Sequence, residues 1–502
     1  MSTWRKRLSI VAAAALSTTG LGVAAATAAH AATCTTYYIS TSGNDGNSGC
    51  STSAPWKSIA KVNATTFAAG ASILFQDGGS WTGELHPLGS GSASSHVVIS
   101  SYGSGARPII AGNGAAAAIY LVNQSYWTIQ NLEITDNAAT AALRSGIQLQ
   151  NNTSGILKGI SIIDNNIHNV KGYWSSTAGI QPSTSSGIAF NLSDSYAANG
   201  WSGVLINGNT LTTDDAGGIY LGSLAGKGHD QNTTGVDIEN NTLTDVGGND
   251  IVCIFCVDAL VQYNVATNSG SRYSGAGIWT ALSTGAVEQY NEVSEQHKHG
   301  SDGQAFDTDL GTKNITVQYN YTHSDAWGFF EFCCNGSDGT VSSVTRYNIS
   351  QNDGSAFAVF RLFGVSTTAS SQIYNNTIYV NGSTNSAITT RTPAARNLYL
   401  TNNIIYNTGS GGYDSAANEI WNYNTFYGNH PSSEPADAHK LTSNPDFQNP
   451  GGAGSGRGSA SAYILKSGSP DLGSGVLISN NGGKDFFGNP VSSSAAPNRG
   501  AY

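Results

Sequence analysis

Between His297 and Gly311 the chain reads His297-Lys-His299-Gly-Ser-Asp302-Gly-Gln-Ala-Phe306-Asp307-Thr-Asp309-Leu-Gly311, which places three carboxylates within eight residues. Charged residues make up only 11% of the sequence, so this is a concentration. Paired carboxylates carry acid–base and nucleophilic chemistry at a sugar bond. One protonates the leaving oxygen, while the other attacks the anomeric carbon or activates water. Crowding acids together raises the pKa of one of them, and that one supplies the proton. Asp302, Asp307 and Asp309 are therefore the candidate catalytic groups. Glu331 is the fourth. Simple spacing sets it beside Thr308, pointing inward, where a lone charge is too costly. Either a bulge turns it out, or a partner such as Arg361 or Arg346 is buried with it.

Sugar recognition needs aromatic faces beside polar groups. The same spacing puts Trp279 and Phe330 in one outward column with Asp307, flanked by Trp327, His323 and His299. These five residues and Arg361 are the substrate-binding candidates. No metal site is assigned. A second acidic spot, Asp214-Asp215, lies about three strand spacings upstream, ~14 Å away. Asp250 lies closer.

The acids need a rigid support, and the sequence repeat supplies one. Asp307 and Asp309 alternate with Phe306 and Thr308, so on a strand they share a face, ~6.6 Å apart. Asn131, Asn166, Asn209, Asn241, Asn264, Asn291, Asn320, Asn348, Asn376 and Asn403 recur in similar contexts, such as Val261-Gln-Tyr-Asn264 and Val317-Gln-Tyr-Asn320. Most steps are close to the length of one coil of a parallel β-helix, about three short strands. One coil cannot bury its apolar side, so coils must stack ~4.8 Å apart. Asparagine suits the corner because it tolerates the left-handed region and bonds neighbouring backbone. The expected fold is all-β, a right-handed parallel β-helix of ten or more coils with capped ends.

The expected organisation is a signal peptide over 1–31, an N-terminal cap with the first coils over 32–111, the body with the site over 112–430, and a last coil and C-terminal cap over 431–502. The first segment has a basic start at Arg5, Lys6 and Arg7, an apolar run, and Ala29-His30-Ala31 as cleavage pattern. Its removal leaves 19 basic against 32 acidic residues, a balance of −13. That charge argues against nucleic acid as a partner. No second long apolar run suggests a membrane span. A secreted, extracellular monomer is expected. With 23 Tyr, 15 Phe and 9 Trp, the chain is not of disordered type.

The opening Tyr38-Ile-Ser-Thr-Ser-Gly-Asn-Asp-Gly46 with Pro55-Trp-Lys-Ser-Ile59, and the closing Gly488-Asn-Pro490 with Arg499-Gly-Ala-Tyr502, resemble the ends of secreted right-handed β-helix enzymes that act on polysaccharides. The segment Asp302-Gly-x-x-Phe-Asp307-x-Asp309 resembles the active coils of β-helix glycosidases. The resemblance implies a glycoside hydrolase needing no cofactor and acting on a poly- or oligosaccharide, with Asp302 and Asp309, or Asp307 and Asp309, as acid and nucleophile or base. The runner-up is a lyase on a uronate polymer. There Asp250, Asp302, Asp307 and Asp309 would hold Ca²⁺, and Lys298 or Arg361 would be the base. A non-catalytic glycan-binding protein is the third reading.

Six cysteines in a secreted chain point to disulfides. Cys34–Cys50 is the expected pair, closing a loop around the N-terminal motif. The pairing of Cys253, Cys256, Cys333 and Cys334 stays open.

Overall fold

The computed structural model describes residues 34–174, 185–222, 230–333, 340–365, 369–383, 387–390, 397–414 and 418–502. Residues 1–31, expected as a signal peptide, lie outside them. Thr35–Tyr502 form one unit. In its body the chain visits three parallel sheets in turn, coil after coil, so each strand pairs with its counterpart one coil later. Among the described residues the sheets hold 15, 13 and 10 strands. This is a right-handed parallel β-helix.

Alternation along short strands sends one set of side chains into the solenoid. Ile129, Ile162, Ile206, Ile238 and Val261 fill the inner column of the first sheet. Ile134, Ile167, Leu211 and Leu243 fill that of the second. Ile119, Ile147, Ile188, Ile219, Ile251, Ile278, Phe306, Phe330 and Phe360 fill that of the third. All are fully buried or nearly so.

The expected asparagine column is present. Side-chain amides donate from Asn264 to Asn291, Asn291 to Asn320, Asn320 to Asn348 and Asn348 to Asn376, each at 3.0–3.1 Å. Each backbone N–H bonds the same oxygen at 2.9–3.0 Å. Two details differ from expectation. The ladder passes through Asn165, which bonds Asn209, and not through Asn166 or Asn131. The left-handed residue is the one before each ladder asparagine: Tyr263, Tyr290, Tyr319 and Tyr347 have φ of 49–58°. The preceding residue makes the corner, and the asparagine turns inward to satisfy backbone groups of two coils.

The C-terminal segment was expected as an end cap. It also runs back along the body: Gly456 N–H donates to Glu292 (2.7 Å), Gln351 donates to Ala453 O (2.9 Å) and Arg457 donates to Tyr319 O (2.9 Å).

Candidate active site

The strand Gln304–Thr308 sits in the third sheet between Ile278–Ala281 and Gly328–Phe332. Its outward column runs Val252, Trp279, Asp307, Glu331, Arg361. Trp279 is beside Asp307, as the spacing predicts. Glu331 is not beside Thr308. It pairs with Asp307, one residue from the simple alignment. In this register Phe330 follows Phe306 in the buried inward column. Phe330 is accordingly fully buried and leaves the substrate-binding set, a correction to the sequence expectation.

Glu331 faces outward yet is only 3% exposed. Of the two expected outcomes, a buried partner is the one found. Arg361 Nη1 donates to Glu331 Oε2 and, at 3.0 Å, to Gln304 Oε1. Gln304 Nε2 donates to Asp307 Oδ2 at 3.2 Å. Arg361 fixes the amide: its donor claims the Gln304 oxygen, which leaves the Gln304 NH₂ facing the carboxylate. The result is a chain Glu331–Arg361–Gln304–Asp307. Burial raises the Glu331 pKa, Arg361 opposes the rise, and the charges of Asp302 and Asp309 add to it. Arg346, the other partner considered, bonds Gln318 and Tyr374 instead.

Asp309 follows at the strand end, half-buried, its N–H donating to Thr280 O at 2.8 Å. Carboxylate oxygens of Asp307 and Asp309 and the Cys333 sulfur lie within 4.8 Å of one another. Asp302 sits in the turn entering the strand, where its backbone pairs with His299. Burial raises the Asp302 pKa. The Ser274 hydroxyl, which donates to Asp302 Oδ2, and the Arg361 charge oppose the rise, and Asp309 adds to it. Burial is thus the main cause of the rise at Asp302, and the neighbouring acid Asp309 adds the smaller part.

The flanking residues separate. Trp279 is held edge-on to Tyr220, ring centroids 6.4 Å apart, and its Nε1 donates to Asn249 at 2.8 Å. The Trp327 ring stacks on Phe357 at 4.6 Å, with Lys298 Nζ 4.5 Å and the Arg361 guanidinium 5.2 Å from its centroid. Trp327 therefore buttresses Arg361. His299 has an exposed side chain and closes the Asp302 turn through its backbone. His323 is not at the site. It lies in the second sheet against Glu292 (3.4 Å), the residue that receives the C-terminal segment.

The upstream acids are structural. Asp215 pairs with Lys171 at 2.6 Å, and buried Asp214 accepts from Val170 N–H at 3.2 Å. Asp250, a Ca²⁺ ligand in the lyase expectation, is fully buried and accepts from Gln296 at 2.5 Å. Cys253 and Cys256 form a disulfide, which settles one of the pairings left open. Cys34 and Cys50 are both disulfide-bonded. Cys334 lies outside the described residues.

Gln304, Ser274 and Asn249 were not singled out from sequence. Gln304 is three residues from Asp307, where alternation predicts opposite faces. Ala305 and Phe306 are both buried, and the pairing register passes from Gln304 to Phe306 without Ala305. Gln304 nonetheless bonds Asp307 and Arg361 of the outward column, and no residue pattern announces it.

No family model matches the chain. A lacto-N-biosidase of Bifidobacterium longum is 27% identical over 93% of this chain and 34% of its own length, so the chain spans about a third of that relative. Two crystal structures of a GH136 lacto-N-biosidase from Eubacterium ramulus, 21% identical, superpose with a TM-score of 0.60 over 77% of this chain and 67% of theirs. The structure of XylC with xylose, 12% identical, superposes at 0.50 over 82% and 87%. These likenesses establish the fold.

Proposed function

We propose that the protein is an extracellular glycoside hydrolase that cleaves an oligosaccharide, with Asp302 as general acid and Asp309 as nucleophile or base. The observation that carries this reading is the Asp302 carboxyl, whose pKa is raised close to a second acid, Asp309. Asp302 is half-buried in its turn, and the desolvation of its carboxyl raises its pKa, so it holds a proton at higher pH than an ordinary aspartate. Asp309 is half-buried at the strand end, with a carboxylate oxygen within 4.8 Å of one of Asp307. Asp307, beside it, accepts a hydrogen bond from Gln304. In the reaction Asp302 protonates the leaving oxygen. Positive charge growing on the sugar carbon faces Asp307 and Asp309, which is stabilisation aimed at the transition state. Glu331 is tied up by Arg361.

The named relative makes a lacto-N-bioside the first substrate to try. The lyase reading is less well supported, because Arg361 is committed to Glu331 and Gln304, and Lys298 to the Trp327 face. Four cysteines in disulfide linkage support an oxidising, extracellular compartment. The test is a panel of neutral oligosaccharides and polyuronates, with and without EDTA. Hydrolysis predicts new reducing ends without ultraviolet absorbance. An unsaturated, absorbing product would overturn the reading.

A further inference from the structure

Buried polar atoms nearly always find partners, so those that do not deserve an explanation. Tyr220 is 1% exposed and Asn191 is 4% exposed. Among the described residues, the Tyr220 hydroxyl and both amide atoms of Asn191 have no hydrogen-bond partner. The two residues are near each other, and Tyr220 is the one nearer the acids. Strand Gly217–Leu221 pairs Tyr220 with Ala189 of Ser186–Leu192, and Asn191 is two residues further along that strand, on the same outward face. The next position on the neighbouring strand is Gly222, which has no side chain to meet the Asn191 amide. In the other direction Tyr220 leads through Val252 to Trp279 and Asp307. The phenol is edge-on to Trp279 and lies close enough to Asp309 to feel its charge.

We infer that Tyr220 and Asn191 form a binding subsite for an uncharged, hydroxyl-bearing sugar ring on the Trp279 side of Asp309. The inference rests on the glycoside-hydrolase reading and specifies which wall of the cleft holds the substrate. A hydroxyl and a carboxamide, both without protein partners, match the donors and acceptors around a pyranose. The neighbouring indole offers an apolar edge, and its own N–H is already satisfied by Asn249. Neither Tyr220 nor Asn191 carries charge, so the ring they receive is neutral. The Arg361 and Lys298 cations lie on the opposite side of the acids.

The test exploits a sign difference. If the orphan atoms serve nothing, removing them relieves an unsatisfied group, and Tyr220→Phe is neutral or stabilising with unchanged kinetics. If they bind substrate, Tyr220→Phe keeps or raises Tm while KM rises at least ~10-fold, the loss of a hydrogen bond to substrate. Asn191→Ala serves as the second variant. Kinetics are read on p-nitrophenyl lacto-N-bioside and on the neutral oligosaccharide of the panel that the wild type cleaves fastest. Raised KM with retained Tm in either variant supports the subsite. Wild-type kinetics in both variants, beside an active wild type, overturn the subsite alone. A wild type inert on every neutral glycan overturns the hydrolase reading and the subsite with it.

Discussion

Asp307 and Glu331 lie directly opposite each other on adjacent strands, two acids in neighbouring positions of one outward column. Two such carboxylates repel unless something intervenes. Arg361, next in the same column, takes Glu331, and Gln304 links Arg361 to Asp307.

Arg361→Met tests that arrangement. It leaves Glu331 buried without a countercharge, and breaking a buried pair from one side costs about 3–5 kcal/mol. The double variant Arg361→Met/Glu331→Gln should recover a large part of the loss, because no charge is then stranded. Urea titrations of both report it. A single variant within ~0.5 kcal/mol of wild type, the range of an ordinary surface change, contradicts the buried pair.

The asparagine ladder predicts a similar cost far from any chemistry. Asn320 donates to Asn348 Oδ1 (3.0 Å) and Glu288 O (2.9 Å), and it accepts from the amide and backbone N–H of Asn291. Asn320→Ala strands several buried groups at once and should cost on the order of 3 kcal/mol. A loss below ~1 kcal/mol, the usual effect of a single substitution, would show that the ladder is replaceable.

The ladder and the strand alternation were legible in the sequence because both follow from period. The repeat gave the coil, and the spacing of Asp307 and Asp309 gave their shared face. The register between coils was less legible. Glu331 was misplaced by one residue because turn lengths vary: the strands pair Phe306 with Phe330. His323 was misassigned for a related reason: its neighbours in sequence belong to the second sheet, and the chain turns before reaching the third. Gln304 was invisible because simple alternation sets it on the face opposite Asp307.

Stability should fall as pH rises through the neutral range. Burial raises the Asp250 pKa to about 8, opposed by hydrogen bonds from Ser269 and Gln296. In the unfolded chain the same carboxyl titrates near ~4. The folded state therefore binds this proton more tightly. The contribution is fully present below pH ~4 and is lost as pH rises towards 8, with a limiting slope of ~1.4 kcal/mol per pH unit. Asp250→Asn has no such proton. Its Tm relative to wild type should climb between pH 5 and pH 8. A constant difference across that range contradicts a protonated Asp250.

The central claim is the division of labour between Asp302 and Asp309. It is tested most directly by kcat/KM of Asp302→Asn, Asp307→Asn and Asp309→Asn on two substrates, a natural oligosaccharide and its p-nitrophenyl glycoside. The nitrophenolate leaves without help from an acid. Asp302→Asn should lose at least ~100-fold on the oligosaccharide and far less on the aryl glycoside. Asp309→Asn should lose at least ~100-fold on both, and Asp307→Asn, which removes the neighbouring charge, should also lose on both. Near-wild-type hydrolysis of the oligosaccharide by Asp302→Asn and Asp309→Asn would contradict the account.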